Sequence, residues 1–290
     1  MRRLLIFIAV LLSYHNLKAQ VQVQADYNAL GDCLFSAYNN AAVPVYLQIN
    51  FADLENTYFS EPLPYVKRLA PGFNNLFTLP RDPDADVPRF NYDIKMFRSD
   101  PMARVDLDFP YLIPFAPGSK VKVFDVKEIN GFRGKDGLDS WSATGFWAKP
   151  GDEVYAARTG IVVEVVGAER KGDPKSWYHT WINSITLLQP DGTLICYRNV
   201  WASSEKLKAG ETIYAGEKMG KVADGADHIK VLIFHDSLNS KNLLFVIPQF
   251  VTDANGKGIL NSSTTYIVTH PRKIRALEMS KREQRRILGK

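Results

Sequence analysis

Four short turn sequences separate apolar runs in the middle of this chain, and they constrain its fold more than any other feature. In Pro-Asp-Gly the proline presets φ and the glycine accepts a positive φ, so the chain reverses direction there. Helical periodicity is almost absent between the turns, which predicts antiparallel β-strands. The turns are Lys149-Pro150-Gly151-Asp152, Pro190-Asp191-Gly192, Ala209-Gly210-Glu211 and Ala215-Gly216-Glu217.

The apolar runs between these turns are the predicted strands of a β domain at residues 111–250. A further apolar run, Leu243–Ile247, ends at Pro248 because proline cannot donate to a strand ladder. The other strands are predicted at Val121–Val126, Glu153–Ala157, Gly160–Val166, Asn183–Leu188, Thr193–Tyr197, Thr212–Tyr214 and Ile229–Phe234.

Residues 21–110 predict a small β-sandwich-like domain, because short apolar runs alternate there with turn formers. Val43–Ile49 and Phe90–Met96 are the clearest strand candidates, and Pro80–Pro88 is a loop rich in proline and aspartate. The segment contains no histidine, and its acids are scattered in turns. We therefore expect no catalytic constellation in this region.

Residues 1–20 resemble a secretory signal. Arg2 and Arg3 precede the apolar run Leu4–Leu12, and Ala19 offers a small residue at a cleavage point. The run is too short to span a bilayer, although an uncleaved anchor is the alternative. We therefore expect the protein to be exported, to the periplasm or the extracellular space.

The net charge of +5 is carried by the two ends of the chain. Residues 1–20 hold three basic residues, and residues 271–290 hold eight basic residues against two acids, which leaves a net charge of −4 for the body. A mildly acidic body does not have the basic face of a nucleic-acid-binding domain, so no nucleic-acid partner is expected.

Residues 251–290 are predicted to form a C-terminal strand, at Thr265–Val268, and a short basic helix after Pro271. That helix either packs on the body or makes weak contact with an anionic surface. Its apolar residues fall roughly on one helical face, and they are Ile274, Leu277, Ile287 and Leu288.

Cys33 and Cys196 lie in different predicted domains. An exported chain can oxidise such a pair, but a bridge would need the two domains to touch. Two buried free thiols are therefore the favoured interpretation, with a disulfide as the alternative.

Three stretches of the second region carry a family resemblance. They are Lys149–Val163, the strand pair made by Asn183–Leu187 and Asp191–Tyr197, and Lys208–Gly220. In this order and spacing they resemble the M23 (lysostaphin/LytM-like) peptidase family, with its duplicated hybrid motif. The N-terminal β region and Tyr111–Phe115 also look like exported Bacteroidetes-type members.

The resemblance implies a zinc site that this chain has lost. The family binds one zinc through an H-x-x-x-D motif and the last His of H-x-H, with two further His assisting, and zinc needs such N and O donors. Gly145 stands where the Asp ligand is expected, and the upstream stretch Asn130–Lys135 has no His. Asn199 replaces the His of Y-x-H-L, while His228 is kept and Lys230 replaces the ligand of H-x-H.

These degenerate groove positions, Gly145, Asn199, His228 and Lys230, predict no catalytic residue, no bound metal and no cofactor. Lys230 is expected to repel a divalent cation and to replace its positive charge in the groove. The groove is then expected to bind a peptidoglycan peptide or an envelope protein. Aromatic residues lining it are expected among Trp141, Trp147, Trp177, Tyr178, Trp181 and Trp201.

Two alternatives remain open at this point. One is an active zinc endopeptidase of cell-wall peptides with unusual ligands, for which the conceivable replacement set is His179, His228, His235 and Asp236. The other is a scaffold without groove function, in which the aromatic residues are ordinary core and rim.

Overall fold

A computed structural model describes residues 20–127, 140–167, 183–202, 207–239, 243–252 and 256–289. Within these ranges the chain forms strands β1 to β21 and two short helices, α1 and α2. All pairings between these strands are antiparallel, except that of the two short strands β7 and β19. The predicted all-β fold is therefore confirmed.

Two three-stranded sheets form the N-terminal part. One has the order β1 (Val21–Tyr27), β2 (Cys33–Asn39), β5 (Gly72–Leu79), and the other β4 (Tyr65–Leu69), β3 (Val45–Glu55), β6 (Arg89–Phe97). An aromatic core joins them. The Phe35 ring of the first sheet lies 5.9 Å from that of Phe51 and 5.0 Å from that of Phe90, both in the second sheet.

The largest sheet follows the order β15-β11-β12-β13-β17-β9-β8-β21, with β18 also paired to β17. In chain order its strands are β8 (Lys120–Asp125), β9 (Thr144–Trp147), β11 (Gly160–Val166), β12 (Ser184–Leu188), β13 (Leu194–Arg198), β15 (Thr212–Ile213), β17 (His228–His235), β18 (Leu244–Phe245) and β21 (Thr265–Ile267).

Two small sheets complete the architecture. They consist of β10 (Glu153–Tyr155), β16 (Lys218–Val222) and β14 (Val200–Ala202), and of β20 (Lys257–Gly258), β19 (Gln249–Val251) and β7 (Pro110–Tyr111).

The two faces of the largest sheet have different partners. Alternate residues such as Tyr197 and Val231 point into the main core, whereas Leu194 and Phe234 point to the opposite face. There they pack with Tyr46 of the N-terminal part, which covers one end of that face. The Ser99 hydroxyl donates a hydrogen bond to the Asp236 carboxylate at 2.7 Å at the same end.

The predicted short basic C-terminal helix is present, but the tail forms two helices and the predicted common apolar face is interrupted. The tail forms α1 (Arg272–Arg275) and α2 (Lys281–Ile287), and Leu277 between them is 54% exposed. The Ser280 hydroxyl accepts a hydrogen bond from the Glu283 amide, and the Glu283 carboxylate accepts one from the Ser280 amide. This capping box starts a new helix and so divides the tail.

A buried ion cluster ties the tail to the body. The Arg158 guanidinium, 3% exposed, lies 2.7 Å from the Asp191 carboxylate and 2.8 Å from that of Glu278 in the tail. Its Cζ stacks 3.8 Å from the centre of the Phe109 ring. Because the guanidinium has two acids and an aromatic face, its charge is compensated although it is buried.

Both cysteines are free and buried, as expected. Burial raises the pKa of each thiol to about 11, so neither is a ready nucleophile at neutral pH. No helix in the described ranges is long and apolar enough to cross a membrane. Residues 1–19 lie outside those ranges, so the secretory signal stays a prediction.

We expect the substitution Arg158→Ala to lower the free energy of unfolding by about 3–5 kcal/mol, because it leaves two carboxylates without their buried cation. Urea denaturation followed by circular dichroism measures this. Lys218→Ala, which removes an ion pair between half-exposed side chains, is the matched control and should cost far less. Equal losses in the two variants would contradict the anchoring role of Arg158.

Candidate functional site

Strand register brings the predicted site positions together at the open end of the largest sheet. Lys230 on β17 lies opposite Gly145 on β9, and Gly145 lies opposite Phe124 on β8. On its other side Lys230 lies opposite Arg198 on β13. Asn199 follows Arg198, and its side-chain amide donates a hydrogen bond to the His228 carbonyl oxygen at 3.1 Å. We call this surface the groove, and its residues are Phe124, Gly145, Trp147, Arg198, Asn199, His228 and Lys230.

The Phe124 ring fills the space above Gly145. A Cβ atom built on Gly145 would lie 2.3 Å from Cζ of Phe124, well inside van der Waals contact. An aspartate at this position would therefore overlap the ring. Sequence reasoning missed Phe124, although it stands in a correctly predicted strand, because its contact with Gly145 depends on the pairing of β8 with β9.

The retained histidine, His228, is hydrogen-bonded through both ring nitrogens. Its Nδ1 lies 2.5 Å from an Asp227 carboxylate oxygen, and its Nε2 lies 3.3 Å from the Asn199 amide nitrogen. This geometry fits the tautomer with the proton on Nδ1, whose Nε2 lone pair accepts from Asn199. The hydrogen bond from His228 lowers the pKa of Asp227.

Aromatic rings enclose His228 on one side. The ring centres of Phe124 and Trp147 lie 5.4 Å and 6.0 Å from that of His228, in edge-on arrangements, and 4.7 Å from each other. Trp147 is 45% exposed, so its indole forms an open apolar wall of the groove.

Two cations lie side by side on the groove floor. Lys230 is half-buried. Burial lowers the pKa of Lys230, and repulsion from Arg198 lowers it further. Burial also lowers the pKa of Arg198, to about 10. The floor is therefore a site of positive charge.

Trp141 lies four residues before Gly145, where the resemblance to an H-x-x-x-D motif would place the first ligand. Sequence reasoning looked instead at Asn130–Lys135, which lies outside the described residues. Counting four residues back from Gly145 would have identified Trp141. The Trp141 Nε1–H donates to the Val126 carbonyl oxygen at 2.8 Å, and the ring packs 4.9 Å from that of Phe245. An indole N–H has no lone pair to offer a metal.

The conceivable replacement zinc set does not assemble. His228 and His235 are the first and last residues of β17, roughly 23 Å apart at the usual strand rise. The Asp236 carboxylate accepts hydrogen bonds from Ser99, and His179 lies outside the described residues. Among the residues that are described, no three His, Cys, Asp or Glu side chains cluster in a way that could hold a metal.

Zinc therefore does not fit the groove that the resemblance identifies. Trp141, Gly145 and Lys230 stand where the resemblance would place the three ligands, and an indole, a glycine and a protonated amine offer no lone pair. The Phe124 ring also fills part of the space in which a ligand side chain would lie.

The remaining aromatic candidates have different surroundings. Trp201 is 39% exposed, and its Nε1–H donates to the Asn183 side-chain oxygen beside the groove. Trp177, Tyr178 and Trp181 lie outside the described residues. Among the described tryptophans, Trp147 is the exposed one whose ring contacts Phe124 and His228 directly.

Comparison with models of protein families found no match, and neither did comparison with curated proteins. Among solved structures, the chain is similar to the catalytic domain of the antimicrobial peptidase lysostaphin from Staphylococcus simulans, at 20% identity and a TM-score of 0.29, over 45% of this chain and 88% of that domain. It is also similar to the deep-sea M23 metalloprotease pseudoalterin, at 13% identity and a TM-score of 0.33, over 57% and 98% of the two chains. Csd3 from Helicobacter pylori is similar at 11% identity and a TM-score of 0.32, over 89% and 57%.

We expect Gly145→Ala to cost about 1–3 kcal/mol of unfolding free energy, because the new methyl group overlaps the Phe124 ring. In the double variant with Phe124→Ala the overlap is gone, so the two effects should be strongly non-additive in a double-mutant cycle. Gly258→Ala is the control, since a Cβ there meets nothing within 4 Å. If Gly145→Ala is tolerated as well as Gly258→Ala, the described contact is incorrect.

Proposed function

We propose that this chain is an exported, non-catalytic M23-peptidase-like protein whose groove binds peptidoglycan peptides. The observation that carries the proposal is the row Phe124–Gly145–Lys230: a glycine and an ammonium stand at expected zinc-ligand positions, and the Phe124 ring fills the space above the glycine. An envelope protein is the alternative occupant of the same groove.

The absence of peptidase activity follows from the donor set. Zinc hydrolases need a bound metal that lowers the pKa of its water and polarises the scissile carbonyl. An ammonium at a ligand position repels a divalent cation, and a glycine supplies no side-chain donor. The Nε2 lone pair of His228 accepts from Asn199, so this histidine is not poised as a base either.

The binding role is supported by the composition of the groove. It combines an exposed indole, the half-buried Phe124 ring and a few polar donors, which is the usual make-up of a specific ligand site. The predicted secretory signal would bring the chain to the compartment in which peptidoglycan lies. The proposed export and the proposed peptidoglycan ligand are therefore consistent with each other.

Metal analysis and a hydrolysis assay test the absence of catalysis. We expect the purified chain, incubated with zinc and dialysed, to hold no stoichiometric metal and to release no peptide from purified peptidoglycan. The lysostaphin catalytic domain is the positive control, and His228→Ala should change neither result. Stoichiometric zinc together with peptide release that His228→Ala abolishes would establish the zinc endopeptidase instead.

Sedimentation with insoluble peptidoglycan tests binding. We expect Trp147→Ala to weaken binding about tenfold or more, as truncation of an aromatic anchor commonly does. Phe73→Ala removes an aromatic residue that is 63% exposed on the N-terminal sheet and should have no effect. Loss of binding in both variants, or in neither, would argue against the groove as the binding surface.

A further inference from the structure

The C-terminal tail, residues 271–290, concentrates positive charge. It holds eight basic residues and two acids, Glu278 and Glu283. The Glu278 carboxylate lies 2.8 Å from the buried Arg158 guanidinium of the body. The Glu283 carboxylate accepts a hydrogen bond from the Tyr214 hydroxyl at 2.5 Å. Both acids of the tail are therefore used to fix it to the body.

Helix α2 turns three cations away from the body. The Arg286 guanidinium marks the inner side of the helix, because it donates a hydrogen bond to the Tyr214 hydroxyl at 3.1 Å and lies 5.8 Å from the centre of that ring. Lys281, Arg282 and Arg285 are exposed. At 3.6 residues per turn their side chains fall within about 100° of the helix circumference. The outer side of α2 is therefore a compact group of three positive charges.

Leu277, in the turn between α1 and α2, is an apolar residue on the solvent side of the same tail. Its side chain is 54% exposed. The turn is fixed on both sides, because Arg275 Nε donates to the Ala215 carbonyl oxygen at 3.1 Å and Met279 is buried. The exposure of Leu277 is thus a property of the packed tail. We call the following residues the basic surface: Leu277, Lys281, Arg282 and Arg285.

We infer that the basic surface docks this protein on a membrane whose lipid headgroups carry negative phosphate groups. Clustered Lys and Arg side chains are attracted to the potential of an anionic lipid surface. An apolar side chain beside them adds affinity, because it leaves water when it enters the boundary between headgroups and acyl chains. The inference goes beyond the proposed function, since it involves no groove residue.

The charge distribution of the chain favours a defined orientation on such a membrane. The tail carries a net charge of +6, whereas the body between residues 21 and 270 carries −4. An anionic surface therefore attracts the tail and repels the rest of the molecule. The exposed Leu277 favours a bilayer over a soluble phosphate polymer, because a polymer would bind the cations and leave this side chain in water.

Co-sedimentation with phospholipid vesicles tests the docking. The full chain and residues 20–290 are measured in parallel, because the apolar run Leu4–Leu12 can bind lipid by itself, and variants are compared within each form. We expect binding to vesicles of phosphatidylglycerol and phosphatidylcholine in equal parts, and none of residues 20–290 to phosphatidylcholine alone. Salt should weaken the binding, because it screens exposed charges.

Two triple variants with the same net charge separate the basic surface from general charge attraction. The tail variant carries Lys281→Gln, Arg282→Gln and Arg285→Gln, and the body variant carries Lys67→Gln, Arg89→Gln and Lys95→Gln, at exposed positions of β4 and β6. The tail variant should bind anionic vesicles roughly a hundredfold more weakly, since each basic residue near such a surface contributes about a factor of five. The body variant should bind as the unsubstituted chain does.

Leu277→Ser distinguishes a membrane from a soluble polyanion. It should weaken vesicle binding about tenfold and leave the binding of inorganic polyphosphate unchanged. Unchanged vesicle binding in this variant would overturn the membrane as the partner. Equal losses in the two triple variants, or binding that salt does not weaken, would overturn the basic surface. All substituted side chains are exposed, so the thermal midpoints should agree; if the tail variant unfolds, salt and Leu277→Ser still decide. The proposed function stands under each of these outcomes.

Discussion

The contact between the Phe124 ring and Gly145 determines what the groove can do. The contact depends on backbone register, because Phe124 on β8 lies directly opposite Gly145 on β9. Gly145 in turn lies opposite Lys230 on β17. The Phe124 ring closes the floor of the groove at the place where the side chain of an aspartate at position 145 would project. The same ring forms the wall beside His228 and Trp147, so Phe124 both fills the space above Gly145 and provides an aromatic surface.

The rest of the molecule holds this surface in place. The N-terminal part covers the far end of the same sheet face through Tyr46 and Phe97. On the other side of the body, the Arg158 cluster fixes the tail. The groove residues themselves lie largely on paired neighbouring strands, and such elements position a site more precisely than loops do.

Turn chemistry made most of the fold predictable. Pro190-Asp191-Gly192 does join two paired strands, with Gly192 at a φ of 87°, and the strand Gly160–Val166 was predicted to the residue. The basic helix of the tail was predicted, but the break between α1 and α2 was not, because an apolar pattern can continue across the Ser280 capping box. Phe124 and Trp141 were missed because cross-strand neighbours and side-chain packing are not visible in local sequence. Motif spacing predicted Gly145, Asn199, His228 and Lys230 as neighbours, and strand pairing places them together.

The closed floor also limits what a single substitution could add to this surface. A carboxylate introduced at position 145 would collide with the ring of residue 124. An acidic side chain could be accommodated there only if residue 124 became smaller at the same time. Two neighbouring strands would therefore have to change together, so the packing of one phenylalanine couples the side chains that positions 124 and 145 can carry.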